Sequence, residues 1–383
     1  MKYKLSFFCI ILITLSFLAA PTDSGWWVQN SKVFLNALLQ ADFKGTYIDF
    51  DVQHPGLTVE WVSALIQFFL PANLYYLLIP LHNLVFSSIL AICLTLGLLK
   101  LSKNFSRKAI LTSAIYIILL PNLIVVPATT YLDWVLSGTL FLISVLWIEY
   151  LGTKKKILLL WIGLILGISV LTKYTATFIF PSFFIIALMR GYSLKSLCKP
   201  LIKILLVALI VFVTFYPSLW VNPKHTFFSL FDRNESIYHF IVSISHIQEV
   251  WKSFLLGSFK FNPIIFLGSA VTLIGLFNKG AKSEVLMPGL IGLIYLICLI
   301  ASVHLVYYPL LDPQILIQQF ERYTMPSTLL FTLTVFGVIY QNRRLEKSYL
   351  LRNSLILLLF LWELIRIATY LYYNYAAKFS AQY

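Results

Sequence analysis

The sequence predicts an all-α polytopic membrane protein, and three observations carry that expectation. Of its 383 residues 60% are hydrophobic and only 11% are charged, against about 25% charged in an ordinary soluble domain. Apolar runs close to the roughly 20 residues that cross a bilayer recur along the whole chain. These runs are apolar on every face rather than alternating, which favours helices over barrel strands.

Eleven spans are expected, at 5–20, 78–99, 109–125, 134–151, 157–172, 174–189, 204–219, 262–278, 286–303, 325–341 and 353–373. The segments between them alternate in charge. One set comprises the residues around Lys2 and Lys4, "KLSKNFSRK" (100–108), "GTKKK" (152–156), "RGYSLKSLCKPLIK" (190–203), "NKGAKSE" (278–284) and "QNRRLEKSYLLR" (341–352). It carries 19 of the 29 Lys and Arg residues. By the positive-inside rule this set is cytoplasmic, so the N-terminus lies inside and the C-terminus outside. The opposite set carries 11 of the 15 acids, among them Asp23, Asp49, Asp51, Glu60 and Asp133. A net charge of +14 is thereby explained as orientation, without nucleic acid.

Two outer segments, 21–77 and 220–260, are long. In the first, "SGWWVQNSKVFLNALL" suggests a helix. "LTVEWVSALIQFFLP" (57–71) is short for a span and reads as an interfacial helix. The second mixes aromatic and charged residues in the same manner and includes "NES" (234–236), an N-glycosylation pattern. The four cysteines have no CxxC spacing, so neither a disulfide framework nor a thiolate zinc site is expected. The charged head and small-residue end of the first 20 residues also fit a cleaved signal peptide. No internal repeat or separate soluble domain is visible, so 1–383 reads as a single domain.

The order of motifs adds a resemblance. Asp23 follows the first span, and His54-Pro55-Gly56-Leu57 follows a loop. Asp133 opens the fourth span, and Leu171-Thr172-Lys173 comes shortly after Gly167. "YPSLWVNP" (216–223), "FERYTMPS" (320–327) and "YLYYNY" (370–375) follow in sequence. This series resembles the C fold class of integral-membrane glycosyltransferases, GT-C. More narrowly, it resembles the branch with the protein O-mannosyltransferases and the lipid A aminoarabinose transferases. That branch carries an Asp-Glu pair after the first span, whereas here Ser24 follows Asp23; its usual His-Pro-Pro-Leu is His-Pro-Gly-Leu here.

The resemblance implies transfer of a hexosyl or pentosyl group from a polyprenyl-phosphate carrier, undecaprenyl or dolichyl, to a protein, glycolipid or cell-wall acceptor. The reaction would occur at the outer face of the plasma membrane, with loops 21–77 and 220–260 covering the site. A carboxylate must take the acceptor's proton while a cation holds the leaving phosphate. Asp23 and Asp133 are the expected catalytic acids, with Asp23 as base. His54, Lys173, Arg322, Tyr323 and Glu60 are the expected binding groups for donor phosphate or substrate. Asp49, Asp51 and Glu60 form a candidate site for a divalent cation, and no other cofactor is implied.

Each residue also has a plainer reading. Asp23 and Asp133 suit helix N-termini, and His54 suits a rigid turn before Pro55 and Gly56. Arg322 and Lys173 suit snorkelling to headgroups. The rival functions are a transporter or lipid flippase, which should show duplicated halves or mid-membrane ionisable groups, and a membrane protein of structural role. Glu149 and Glu363 are the acids near or inside spans.

Overall fold

The computed structural model describes residues 2–18, 24–46, 56–120, 131–224, 262–279, 284–307, 324–342, 345 and 348–380. Among these the fold is all α, with fourteen α-helices and two short 3-10 segments. The helices are α1 (Lys2–Leu18), α2 (Ser24–Leu39), α3 (Leu57–Phe69), α4 (Leu78–Leu101), α5 (Arg107–Ile118), α6 (Tyr131–Thr153) and α7 (Lys156–Thr172). They continue with α8 (Phe180–Met189), α9 (Leu194–Thr214), α10 (Pro217–Val221), α11 (Pro263–Lys279), α12 (Met287–Tyr307), α13 (Met325–Gln341) and α14 (Tyr349–Ser380). The 3-10 segments, Ala72–Leu77 and Tyr174–Ile179, lead into α4 and α8.

Each expected span overlaps a helix, with shifts of boundary: the expected 174–189 is α-helical only from Phe180, after a 3-10 segment, and the expected 204–219 breaks after Thr214, before α10. The helix expected over 109–125 ends at Ile118, and 121–130 lie outside the described residues. The helix expected to start at 204 starts at Leu194, capped by the Ser193 hydroxyl, which accepts from the Ser196 N–H. Its basic first turns read as a loop in the sequence, yet they are helical, with Pro200 inside. The expected helix in "SGWWVQNSKVFLNALL" is α2, and the short apolar helix at 57–71 is α3. Among the described residues three helical stretches are long and apolar enough to cross a membrane, Asn73–Leu101, Tyr131–Thr153 and Leu194–Thr214, and seven shorter apolar helices accompany them.

Packing ranks the helices. The central one, α6, is buried on every side, as expected of a helix apolar all round. Helices α4 and α7 flank it, and α9 packs chiefly against α7 at the periphery. The α7–α9 seam follows from Gly163 and Gly167, spaced as in the small-xxx-small pattern that lets backbones approach. A Cβ at Gly163 would lie 2.6 Å from Val207 Cβ and 2.9 Å from the Ile204 carbonyl oxygen. At Gly167 it would meet Val211 Cβ at 2.6 Å and the Ala208 oxygen at 2.9 Å. Substituting Gly167→Leu should therefore part the helices and destabilise the protein by about 1–3 kcal/mol. A thermal-unfolding midpoint in detergent equal to that of the parent protein would refute this seam.

Candidate functional site

Helices α6 and α7 form a hairpin whose turn holds Lys154, at a positive φ of 58°, and Lys155. The far end of this hairpin brings the first turn of α6 beside the last turn of α7. Asp133 lies in that first turn, and Lys173 caps α7 in an extended conformation. The Lys173 Nζ donates to Asp133 Oδ1 at 2.5 Å, and the two side chains are 0% and 1% exposed. Removing two charges from water costs several kcal/mol per ion, so neither tolerates loss of the other. Two sequence candidates thus form one buried ion pair. Lys173, expected to face a donor phosphate, instead holds Asp133.

Helix α3 docks on the same end. Gly56 precedes it with φ 59° and ψ 0°, a left-handed backbone that glycine adopts without strain. Its N–H donates to the Thr172 carbonyl at 3.3 Å, and the Thr58 hydroxyl donates to the Ile168 carbonyl at 3.0 Å. The last turn of a helix leaves carbonyls without intrahelical donors, and a helix start leaves N–H groups without acceptors. The α3 start and the α7 end satisfy each other. Trp61 extends the docking by donating its indole N–H to the Phe215 carbonyl at 2.9 Å.

Helix α2 closes the group from another side. The buried Trp27 indole covers Gly56, where any Cβ would run into the ring. On the next turns of α3, Gln67 Nε2 donates to the Val28 carbonyl at 3.0 Å and to Ser31 Oγ at 2.5 Å. The start of α2, the start of α3, the end of α7 and the start of α6 therefore meet.

The start of α13 points to this end as well. Arg190, at the opposite end of the bundle, approaches Glu284 at 3.8 Å, just before α12. The Gly289 N–H donates to Thr334 Oγ1 at 2.7 Å, and Ser327 Oγ donates to the Gly292 carbonyl at 2.9 Å. Helix α13 thus runs antiparallel to α12, with the buried Thr324 directed away from Arg190.

Of the expected site residues, Asp133, Lys173 and Glu60 are described; Asp23, His54, Arg322 and Tyr323 lie outside the described residues, as do Asp49, Asp51 and 225–261. In the sequence Asp23 immediately precedes Ser24, His54 stands two residues before Gly56, and Arg322–Tyr323 precede Thr324.

Glu60 lies in the first turn of α3, the interfacial helix expected from the sequence, and is buried. Burial pushes its carboxyl from the ordinary 4.5 up to about 8, because the charged form loses its hydration. Among the described residues no group of three or more His, Cys, Asp or Glu is placed to hold a metal ion.

Sequence reasoning did not find the second polar cluster. Tyr116 of α5 donates to Glu363 Oε1 of α14 at 2.5 Å, and Arg366 Nη1 donates to Glu363 Oε2 at 2.7 Å. Glu363 was noticed only as an acid inside an apolar stretch; its i,i+3 partner Arg366 was the available signal. The chain matches no protein-family model, and no curated protein is significantly similar to it.

Proposed function

We propose that this chain is a polytopic membrane glycosyltransferase of GT-C type, taking a sugar from a polyprenyl-phosphate donor. The carrier is undecaprenyl or dolichyl phosphate, and the acceptor is a protein, a glycolipid or a cell-wall polymer. The chain spans the plasma membrane about eleven times as one domain, 1–383, with the N-terminus cytoplasmic. Loops 21–77 and 220–260 cover a site on the outer face. Membrane lipids surround the protein, and nucleic acid is not a partner.

One observation carries this reading: several elements that flank the motif residues lie at one end of the bundle. The starts of α2, α3 and α6 and the end of α7 meet there, and the start of α13 is directed to the same end. A carrier lipid presents its phosphate at headgroup height, so catalytic groups gathered at a bundle end suit it. In this mechanism Asp23 accepts the acceptor hydroxyl's proton as the sugar carbon is attacked, inverting it. Arg322 receives the leaving phosphate through its planar fork, and His54 and Tyr323 orient the sugar or phosphate. The Asp133–Lys173 pair fixes the α6–α7 end beneath them. A divalent cation, where required, falls to Asp49, Asp51 and Glu60.

The Tyr116–Glu363–Arg366 cluster favours a second reading, a transporter or lipid flippase, because ionisable groups inside apolar helices mark transport paths. Transfer from radiolabelled polyprenyl-phosphate sugars to membrane acceptors separates the two. The parent protein should transfer label, and Asp23→Asn should lower the rate at least about 100-fold, as loss of a general base does. Full activity of Asp23→Asn would remove Asp23 from the mechanism. Absence of transfer, with movement of the intact donor across the bilayer, would favour the second reading.

A further inference from the structure

Helix α9 carries three lysines, Lys195, Lys199 and Lys203, at i, i+4 and i+8. This spacing sets them along one side of a helix over about 12 Å. All three are exposed. Among the described residues no acid forms an ion pair with any of them. The apolar side chains beside and beyond them, Ile202, Leu205, Leu206 and Leu209, are about half exposed, so this stretch faces lipid in the membrane reading.

The α7–α9 seam fixes the level of a second group of cations. Gly163 faces Val207 and Gly167 faces Val211, so the helices run parallel with a constant offset. That offset sets Lys155 and Lys156, both exposed, level with Lys199. Trp161 of α7, 52% exposed, lies just beyond them on the apolar side, an arrangement suited to an interface between headgroups and acyl chains. Orientation by positive charge requires lysines in the loop. It does not require a helical ladder continuing into the apolar stretch as far as Lys203.

We infer that the Lys195–Lys199–Lys203 ladder, with Lys155 and Lys156 beside it, is a binding site for the headgroup phosphates of anionic phospholipids. The lipid sits in the leaflet opposite the proposed transfer site, its acyl chains against Ile202, Leu206 and Leu209. The inference rests on the membrane reading and not on glycosyl transfer.

The test is native mass spectrometry of the detergent-purified protein with added cardiolipin, phosphatidylglycerol or phosphatidylcholine. The parent protein should retain the two anionic lipids and not phosphatidylcholine. Lys195→Gln/Lys199→Gln/Lys203→Gln should bind them on the order of 100-fold more weakly, given the contribution of each lysine near an anionic surface. The corresponding triple arginine variant should keep binding, which separates charge from misfolding. A control, Lys103→Gln/Arg107→Gln/Lys108→Gln, removes the same charge elsewhere at that end and should stay within twofold of the parent. Equal loss in the control, or none in the ladder variant, overturns the site. Displacement of the lipid by inorganic phosphate at matched concentration would make it a free-anion site and overturn it too. Extraction of the protein from membranes by alkaline carbonate would separately defeat the membrane reading.

Discussion

Replacing Lys173 by methionine is expected to destabilise the protein by about 3–5 kcal/mol, since the buried Asp133 carboxylate loses the ammonium that donates to it. Asp133→Leu should cost a similar amount by removing the carboxylate that accepts from the buried Lys173 ammonium. The double variant Lys173→Met/Asp133→Leu removes both charges and leaves an apolar contact, so it should regain most of the loss. Apolar replacement of a buried pair is often neutral or better. Thermal unfolding of the four proteins in one detergent gives the cycle, and independent additivity of the two single losses would contradict a direct pair. Transfer activity then separates structure from chemistry. A stable but inactive double variant assigns the pair a part in the reaction, whereas a stable and active one confines it to holding the α6–α7 end.

The second large effect is in pH. Glu60 retains its proton in the folded protein up to about pH 8, whereas in the unfolded chain it loses it near 4.5. Between those values the folded state binds more protons than the unfolded one, so stability must fall as pH rises through the window. Below 4.5 and above about 8 the contribution is flat. The full separation amounts to about 4–5 kcal/mol as an upper figure. Glu60→Gln keeps the shape and stays neutral, so it should flatten this part of the stability profile. It should also raise the unfolding midpoint at pH 8 above that of the parent. A parent profile that rises from pH 5 to 8, or a Gln variant with the same slope, would show Glu60 to be hydrated.

Most of the helix pattern was legible because the apolar runs are long and unbroken. Helices α4, α12 and α13 match the expected spans to within a few residues at each end. The exceptions have physical reasons. The start of α9 is masked by Lys195, Lys199 and Lys203 and by Pro200, which read as a loop when hydropathy alone is followed. The six residues before α8 wind as a 3-10 segment, which no apolar count distinguishes from an α-helix.

For the site, the sequence pointed to Asp133, Lys173 and Glu60 separately. It could not show that the first two neutralise each other, because that depends on the length of the α6–α7 hairpin. Nor could it show that Glu60 is buried. Its neighbours Val59 and Trp61 make α3 look like a half-solvated surface helix, yet docking on α2 and α7 covers the Glu60 side. The role of Gly56 was legible as a turn. Its two contacts, Trp27 on one side and the Thr172 carbonyl on the other, were not.

The central claim is that the starts of α2, α3 and α6 meet at one bundle end, to which the start of α13 is also directed, and that this end faces the outside of the cell. A membrane-impermeant maleimide tests it on a background lacking Cys9, Cys93, Cys198 and Cys298. A cysteine at Ser24 should react in intact cells, and one at Lys195 only after the membrane is opened. Labelling of Lys195→Cys in intact cells, with Ser24→Cys silent until lysis, would invert the topology and contradict the account.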